Sequence, residues 1–227
     1  MKEVFNDEGK SFPLGSKIAA GGEGTVYRLL DRSDRCVKVY HDTNLPNQGD
    51  LEKIRILISK SSELENFAAL PVGIAHRNEF NRLLGGTLHP VGVFLKLIEG
   101  HDVFQVYNHN NRLTHFPNRR FNFLIRVALN LSRAFEELHK RDIVLGDVNE
   151  KNVKVRQDAT ISFIDCDSFQ VKKDGRVFRC PVGAEMWTPP ELIGVDLKTI
   201  DRTPNHDLFG LAQLIFLLFF AGRFPFA

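Results

Sequence analysis

The sequence predicts an α+β fold, and three observations carry that expectation. Up to about Glu99, short β-branched and aromatic runs alternate with turn residues, which is the pattern of a small sheet. Within that half only the stretch from Leu51 to Leu64 is helical in pattern. From Phe121 to Lys140, Leu124, Val127, Leu131, Ala134, Phe135 and Leu138 recur at spacings of three and four, the mark of a helix with one buried face.

The remaining segments follow in order. Tyr107 to Arg120 (YNHNNRLTHFPNRR) is rich in Asn and charge and carries a Pro, so it reads as a surface connection. Leu208 to Ala221 (LFGLAQLIFLLFFA) is strongly apolar but shorter than the ~18 to 20 residues that span a bilayer. Gln213 interrupts it, and a helix buried in a protein core is the expectation. No internal repeat or low-complexity tract is present.

Composition narrows the class. Of 227 residues 43% are hydrophobic and 26% charged, with a net charge of +2, which excludes a disordered chain, a collagen-like repeat and a strongly basic nucleic-acid binder. Cys36, Cys166 and Cys180 are odd in number and lack CxxC spacing, so neither a disulfide framework nor a zinc site is expected, and a reducing cytoplasmic setting fits. The segment after Met1 has no apolar core of signal-peptide length, so no secretion is expected.

Two groups of residues carry chemistry. Ile18 to Tyr27 (IAAGGEGTVY) is a Gly-rich turn between strand-like segments, where the missing Cβ atoms let backbone N–H groups approach phosphate oxygens. Lys38 is the only charge in the apolar run Cys36 to Tyr40 that follows, and can reach phosphates as a point charge. A hairpin and a snorkelling edge lysine account for each feature equally well on its own. After the long helical stretch, Asp147 and Asn152 stand five residues apart in LGDVNEKNV, and Asp165 ends the strand-like run from Ile161. Their oxygens are hard ligands suited to Mg²⁺, and a further acid can accept the proton of an attacking hydroxyl. Taken singly, Asp147 and Asn152 read better as turn and cap residues.

Taken together and in this order, these motifs resemble the protein-kinase superfamily, from about Ile18 to Phe226. Gly21, Gly24 and Val26 match the nucleotide loop, and Lys38 matches the lysine of the strand after it. Glu52 looks like the helix acid that pairs with that lysine, with Glu63 and Glu65 as fallbacks. Asp147 and Asn152 match the catalytic-loop base and metal-binding amide. Asp165, 13 residues after Asn152, matches the metal-binding acid. Pro189-Pro190-Glu191 stands where the family has Ala-Pro-Glu, and Asp207 to Gly210, leading on to Phe226, resembles the helix that anchors the C-lobe. GDVNEKN, FIDCDSFQV and WTPPEL are similar to a bacterial group of eukaryotic-like kinases that includes the YegI-like proteins, which join a kinase domain to a helix-hairpin-helix DNA-binding region. No such region is visible here, so DNA is a partner only through sequence beyond this fragment.

The resemblance implies a bilobal fold, with an N-lobe of antiparallel sheet and one helix over residues 1–99 and a mainly helical C-lobe over 100–227, incomplete after the anchoring helix. It implies transfer of the ATP γ-phosphoryl group to a protein hydroxyl, Ser/Thr rather than Tyr, with ATP and Mg²⁺ as cofactors and no membrane. Lys38, held by Glu52, would orient the phosphates, Asn152 and Asp165 would hold Mg²⁺, and Asp147 would act on the hydroxyl. The adenine would lie between Ile18, Val26 and Cys36 on one side and Val153 or Lys154 on the other, with Leu95 behind. Backbone groups of Lys96 to Ile98 would meet its edge, and Asp102 the ribose. Two alternatives stand beside this one: a nucleotide-binding pseudokinase scaffold and a small-molecule phosphotransferase of kinase-like fold.

Several positions depart from the family pattern. Ala19 replaces a loop glycine, Leu145-Gly146 replaces His-Arg before the base, Asn149 replaces a lysine, and Cys166-Asp167 replaces Phe-Gly. Without an arginine before Asp147 there is no obvious cation to receive an activation-segment phosphate. Phe169 to Phe178 reads as a hairpin turning at Asp174-Gly175, so that segment is expected to be pre-ordered and activity independent of its phosphorylation.

Overall fold

The computed structural model describes residues 1–81 and 85–225, so Phe226, the last residue of the anchoring-helix motif, lies outside the described residues. The chain divides into two compact units, the first of residues 1–62 with 69–97 and the second of 63–68 with 98–227.

In the first unit six strands form a closed antiparallel barrel in the order β1-β2-β3-β4-β6-β5. They are β1 (Glu3–Phe5), β2 (Ser11–Ala20), β3 (Gly24–Leu29), β4 (Arg32–Tyr40), β5 (Pro71–Asn81) and β6 (Gly85–Lys96). Closure is made by the short β1, which pairs with β2 on one side and through Phe5 and His76 with β5 on the other. Val4, Phe12, Leu29, Val37, Ala75, Val91 and Phe94 form one buried cluster of this unit, with the rings of Phe12 and Phe94 edge to face at 5.1 Å. Alternation along β4 turns Cys36 to the opposite side from Val37, into a second cluster with Ile54, Ile74, Val93 and Leu95. Ile54 comes from α1 (Gln48–Leu64), a helix three residues longer at its start than the apolar pattern, begun by the Asn47 carboxamide accepting from the N–H groups of Gly49 and Asp50.

The second unit is mainly helical. α2 (Val103–Tyr107) ends where the Asn-rich segment expected as a connection begins, and α3 (His109–His115) lies within it. Asn108 explains the difference, since its side chain accepts from the Asn111 N–H at 3.1 Å and caps α3. α4 (Phe121–His139) buries Leu124, Val127, Leu131, Ala134, Phe135 and Leu138, the residues whose spacing announced it. α5 (Pro204–Phe219) is the apolar helix, started by Pro204 and by the Thr203 N–H donating to His206 Nδ1 at 3.0 Å. Among the described residues no helix is long and apolar enough to cross a membrane.

Two small sheets complete this unit. One runs β10-β9-β7, from β7 (His101–Asp102), β9 (Val153–Val155) and β10 (Ile161–Phe163); the other runs β12-β11-β8, from β8 (Ile143–Val144), β11 (Gln170–Lys173) and β12 (Arg176–Phe178). β11 and β12 are the expected hairpin, with both Asp174 and Gly175 at positive φ as a tight primed turn requires.

Candidate active site

In the first unit the Gly-rich turn joins β2 to β3, and pairing of Val26 with Lys38 sets the lysine on β4 beside it. Close packing demands glycine at position 24, where a Cβ would lie 2.4 Å from the Val39 carbonyl oxygen. The turn is tied from below: His41 N–H donates to the Glu23 carbonyl at 2.9 Å, and Asn44 Nδ2 donates to the Gly22 carbonyl at 3.0 Å. Lys38 is buried, at 5% exposure, and its Nζ lies 3.0 Å from Glu23 Oε2 and 5.6 Å from the centre of the Tyr40 ring. The sequence expectation gave Lys38 to Glu52 of α1. Glu52 stands on an exposed position of that helix, and the neighbouring Lys53 is the buried one, because Ile54 and Leu57 set the buried face. Of the fallbacks, Glu63 belongs to the second unit and accepts from Arg141 Nε at 3.0 Å, while Glu65 is exposed.

The residues expected around an adenine in this unit are Ile18, exposed; Val26, half-buried and packed on the second cluster; and Cys36 and Leu95, buried within it. Burial raises the Cys36 thiol to about 11, only partly opposed by the Arg28 charge. Lys96 ends β6 with an exposed side chain. Ile98 begins the second unit, half-buried.

The second unit assembles the acid cluster. β9 and β10 pair with Val153 opposite Phe163, and the Ile164 N–H extends the ladder to the Asn152 carbonyl at 2.9 Å. Asn152 and Asp165 are thereby brought to the same end of the hairpin. Asn152 Nδ2 donates to the Asp147 carbonyl at 3.1 Å and to Asp147 Oδ2 at 3.2 Å, which leaves the Asn152 oxygen to face a cation. Asp165 adopts the left-handed conformation, φ 60°, at the kink where β10 gives way to a 3-10 turn. One carboxylate and one amide oxygen make a hard donor set of the kind Mg²⁺ takes when phosphates supply further ligands, so these residues fit that ion.

The other oxygen of Asp147 accepts from the Ala184 N–H at 3.0 Å. Asn149 Nδ2 donates locally to the Asp147 carbonyl, while the main chain of Ala184 reaches the Asp147 side chain. The loop is anchored from below by Asp207, 1% exposed, which accepts from the Leu145 N–H at 2.8 Å and the Gly146 N–H at 2.9 Å, with His139 Nε2 2.9 Å away. Asp102, the expected ribose contact, starts α2 and pairs with Lys154 at 2.6 Å. Tyr107 donates to Glu150, whose carboxyl is held above its ordinary range by burial.

Sequence reasoning missed Glu23, Arg202 and Gln170. Glu23 was visible as the lone acid among the loop glycines. Arg202 and Gln170 carry no local signal, because their partners lie 20 to 56 residues away.

The chain matches no family model. It is 32% identical to "Protein kinase YegI" of Escherichia coli strain K12 and 31% identical to the protein of that name in E. coli O157:H7, in each case over 99% of this chain and 34% of the relative, so it spans about a third of the length of the curated relatives it matches. Among solved structures it resembles the ROP18 kinase domain in complex with AMP-PNP and sucrose, with a TM-score of 0.65 and 16% identity over 98% of this chain and 68% of that one. Likeness to these relatives runs along nearly the whole chain, and the fold resembles that of a kinase domain.

Proposed function

We propose that this chain transfers the γ-phosphoryl group of ATP to a hydroxyl of a protein substrate, Ser or Thr in preference to Tyr. The observation that carries the reading is the Asp147–Asn152–Asp165 cluster, in which a candidate base is gripped at both oxygens while two hard ligands are held by one hairpin. Phosphoryl transfer asks a protein mainly for positioning and electrostatics, and this set answers that demand.

Lys38 and the N–H groups of the Gly21 to Gly24 loop would take the phosphates. Asn152 and Asp165 would hold Mg²⁺, which when bound offsets phosphate charge. Asp147 would accept or orient the hydroxyl proton, its Oδ1 and Oδ2 held in register by the Ala184 N–H and the Asn152 amide.

A phosphotransfer assay with labelled ATP, Mg²⁺ and a set of protein acceptors tests the proposal. Asp147→Ala should lower turnover by about 10²-fold or more, the usual contribution of a general base, while AMP-PNP binding is kept. Asp165→Asn should weaken Mg²⁺-dependent nucleotide binding as well. Nucleotide binding without turnover on any acceptor would turn the reading towards a scaffold, and turnover on small molecules alone towards a small-molecule phosphotransferase.

A further inference from the structure

We propose that Arg202 is a built-in positioning residue that locks the catalytic loop and the segment after the β11–β12 hairpin into their working arrangement without phosphorylation. The inference rests on the phosphotransfer reading above. It starts from Gly146, the residue before Asp147, whose φ is +76°. A Cβ on Gly146 would lie 2.7 Å from Cys180 Cβ and 2.8 Å from both Cys180 Sγ and Arg202 Nη1. The room a side chain would need beside the base is filled from elsewhere in the chain.

Cys180 and Arg202 fill it, the arginine at 5% exposure. Its Nη1 donates to the Gly146 carbonyl, and its Nη2 donates to the Val182 carbonyl at 2.5 Å. Its own backbone clasps the Gln170 carboxamide, N–H to Oε1 at 2.8 Å and carbonyl from Nε2 at 2.6 Å. One residue therefore joins the catalytic loop, the start of β11 and the segment at Val182. Two residues beyond Val182, the Ala184 N–H holds Asp147 Oδ1, so both the base and its donor hang from carbonyls that this guanidinium grips.

The same contacts leave no role for a phosphate. Two of the guanidinium nitrogens are committed to main-chain oxygens, and the third, Nε, is buried without a partner among the described residues. Of the hydroxyl side chains between Asp165 and Glu191, Ser168 is buried with its Oγ donating to the Asp165 carbonyl at 3.1 Å, and Thr188 donates to the Ala184 carbonyl at 2.9 Å. A phosphate on either would break a bond that orders the segment.

The test compares wild type with Arg202→Ala and Gly146→Ala, the second of which displaces the guanidinium without removing it. Each should lower kcat by about thirtyfold or more through misplacement of the base, with AMP-PNP affinity within about threefold of wild type. Millimolar guanidinium should restore part of the Arg202→Ala activity, and methylammonium should not. Phosphatase treatment of wild type should leave its initial rate unchanged. Unchanged kcat in both variants, a parallel loss of AMP-PNP binding in both, or a phosphatase-induced fall reversed by preincubation with ATP would overturn the inference. Fluorescence of Trp187, the only tryptophan of the chain, gives a readout independent of turnover, since acrylamide should quench it more readily in both variants. If wild type transfers no phosphate, the proposed function fails, and unaltered quenching would then refute the lock separately.

Discussion

Replacing Glu23 with Gln asks which acid serves Lys38. The exchange keeps the shape of the side chain and removes its charge, 3.0 Å from a lysine nitrogen whose side chain is 6% exposed. Opposite unit charges at that distance attract by roughly 5 kcal/mol at an effective dielectric constant of about 20. The Glu23 side chain is 39% exposed, however, so water offsets most of this, and a net ~1.5 kcal/mol, the low end for a hydrogen bond to a charged group, is the better figure. An ammonium has three donors, so the pair can persist while phosphate is bound. Glu23→Gln should then lower kcat/KM for ATP by about tenfold, and Glu52→Gln by less than about threefold. Steady-state phosphotransfer with varied ATP, beside a melting curve to confirm folding, makes the measurement. Tighter ATP binding in Glu23→Gln would refute the argument by showing that the acid competes with phosphate for the lysine, and collapse in Glu52→Gln alone would return the role to α1.

Two further outcomes follow from packing and burial. Burial pushes the Cys36 thiol up to about 11 from an ordinary 9.0, so its stabilising contribution should be complete below pH 9 and be lost as pH rises towards 11, a loss of up to ~3 kcal/mol. Urea titrations at pH 8 and pH 10.5 should show a steeper decline in wild type than in Cys36→Val, and equal declines would deny the thiol that role. Phe135→Ala removes a ring at 1% exposure that meets Phe163 edge to face at 5.1 Å, and should cost about 3 to 5 kcal/mol, seen as a drop of roughly 10 °C in the melting of the helical unit.

What could be read in the sequence is what short-range pattern encodes. α4 was legible because its apolar residues recur at helical spacing, and the β11–β12 hairpin because Asp174-Gly175 is a turn dipeptide. Asp147, Asn152 and Asp165 could be named because they sit in one loop and one adjoining strand, and the structure draws them together through the β9–β10 pairing. α3 was hidden because its helix depends on a single cap, Asn108, within a polar stretch with no apolar face to betray it. Glu23 and Arg202 escaped for another reason. Each acts through main-chain geometry that only tertiary folding creates, and an arginine 55 residues after the base carries no local mark of its destination.

The closure of the barrel by β1 has a consequence for how this chain meets other molecules. An open sheet ends in rows of unpaired N–H and C=O groups that recruit foreign strands and seed aggregation. Here Glu3, Val4 and Phe5 cover the edge of β2, and Phe5 alone meets β5 at His76. Over those residues strand addition to β2 must first displace β1. The seam is only three residues long on the β1 side, and fusion of a tag directly before Met1 places foreign chain at the zipper's end. Detaching β1 would bare the paired edge of β2, which makes the N-terminal segment a guard of that edge.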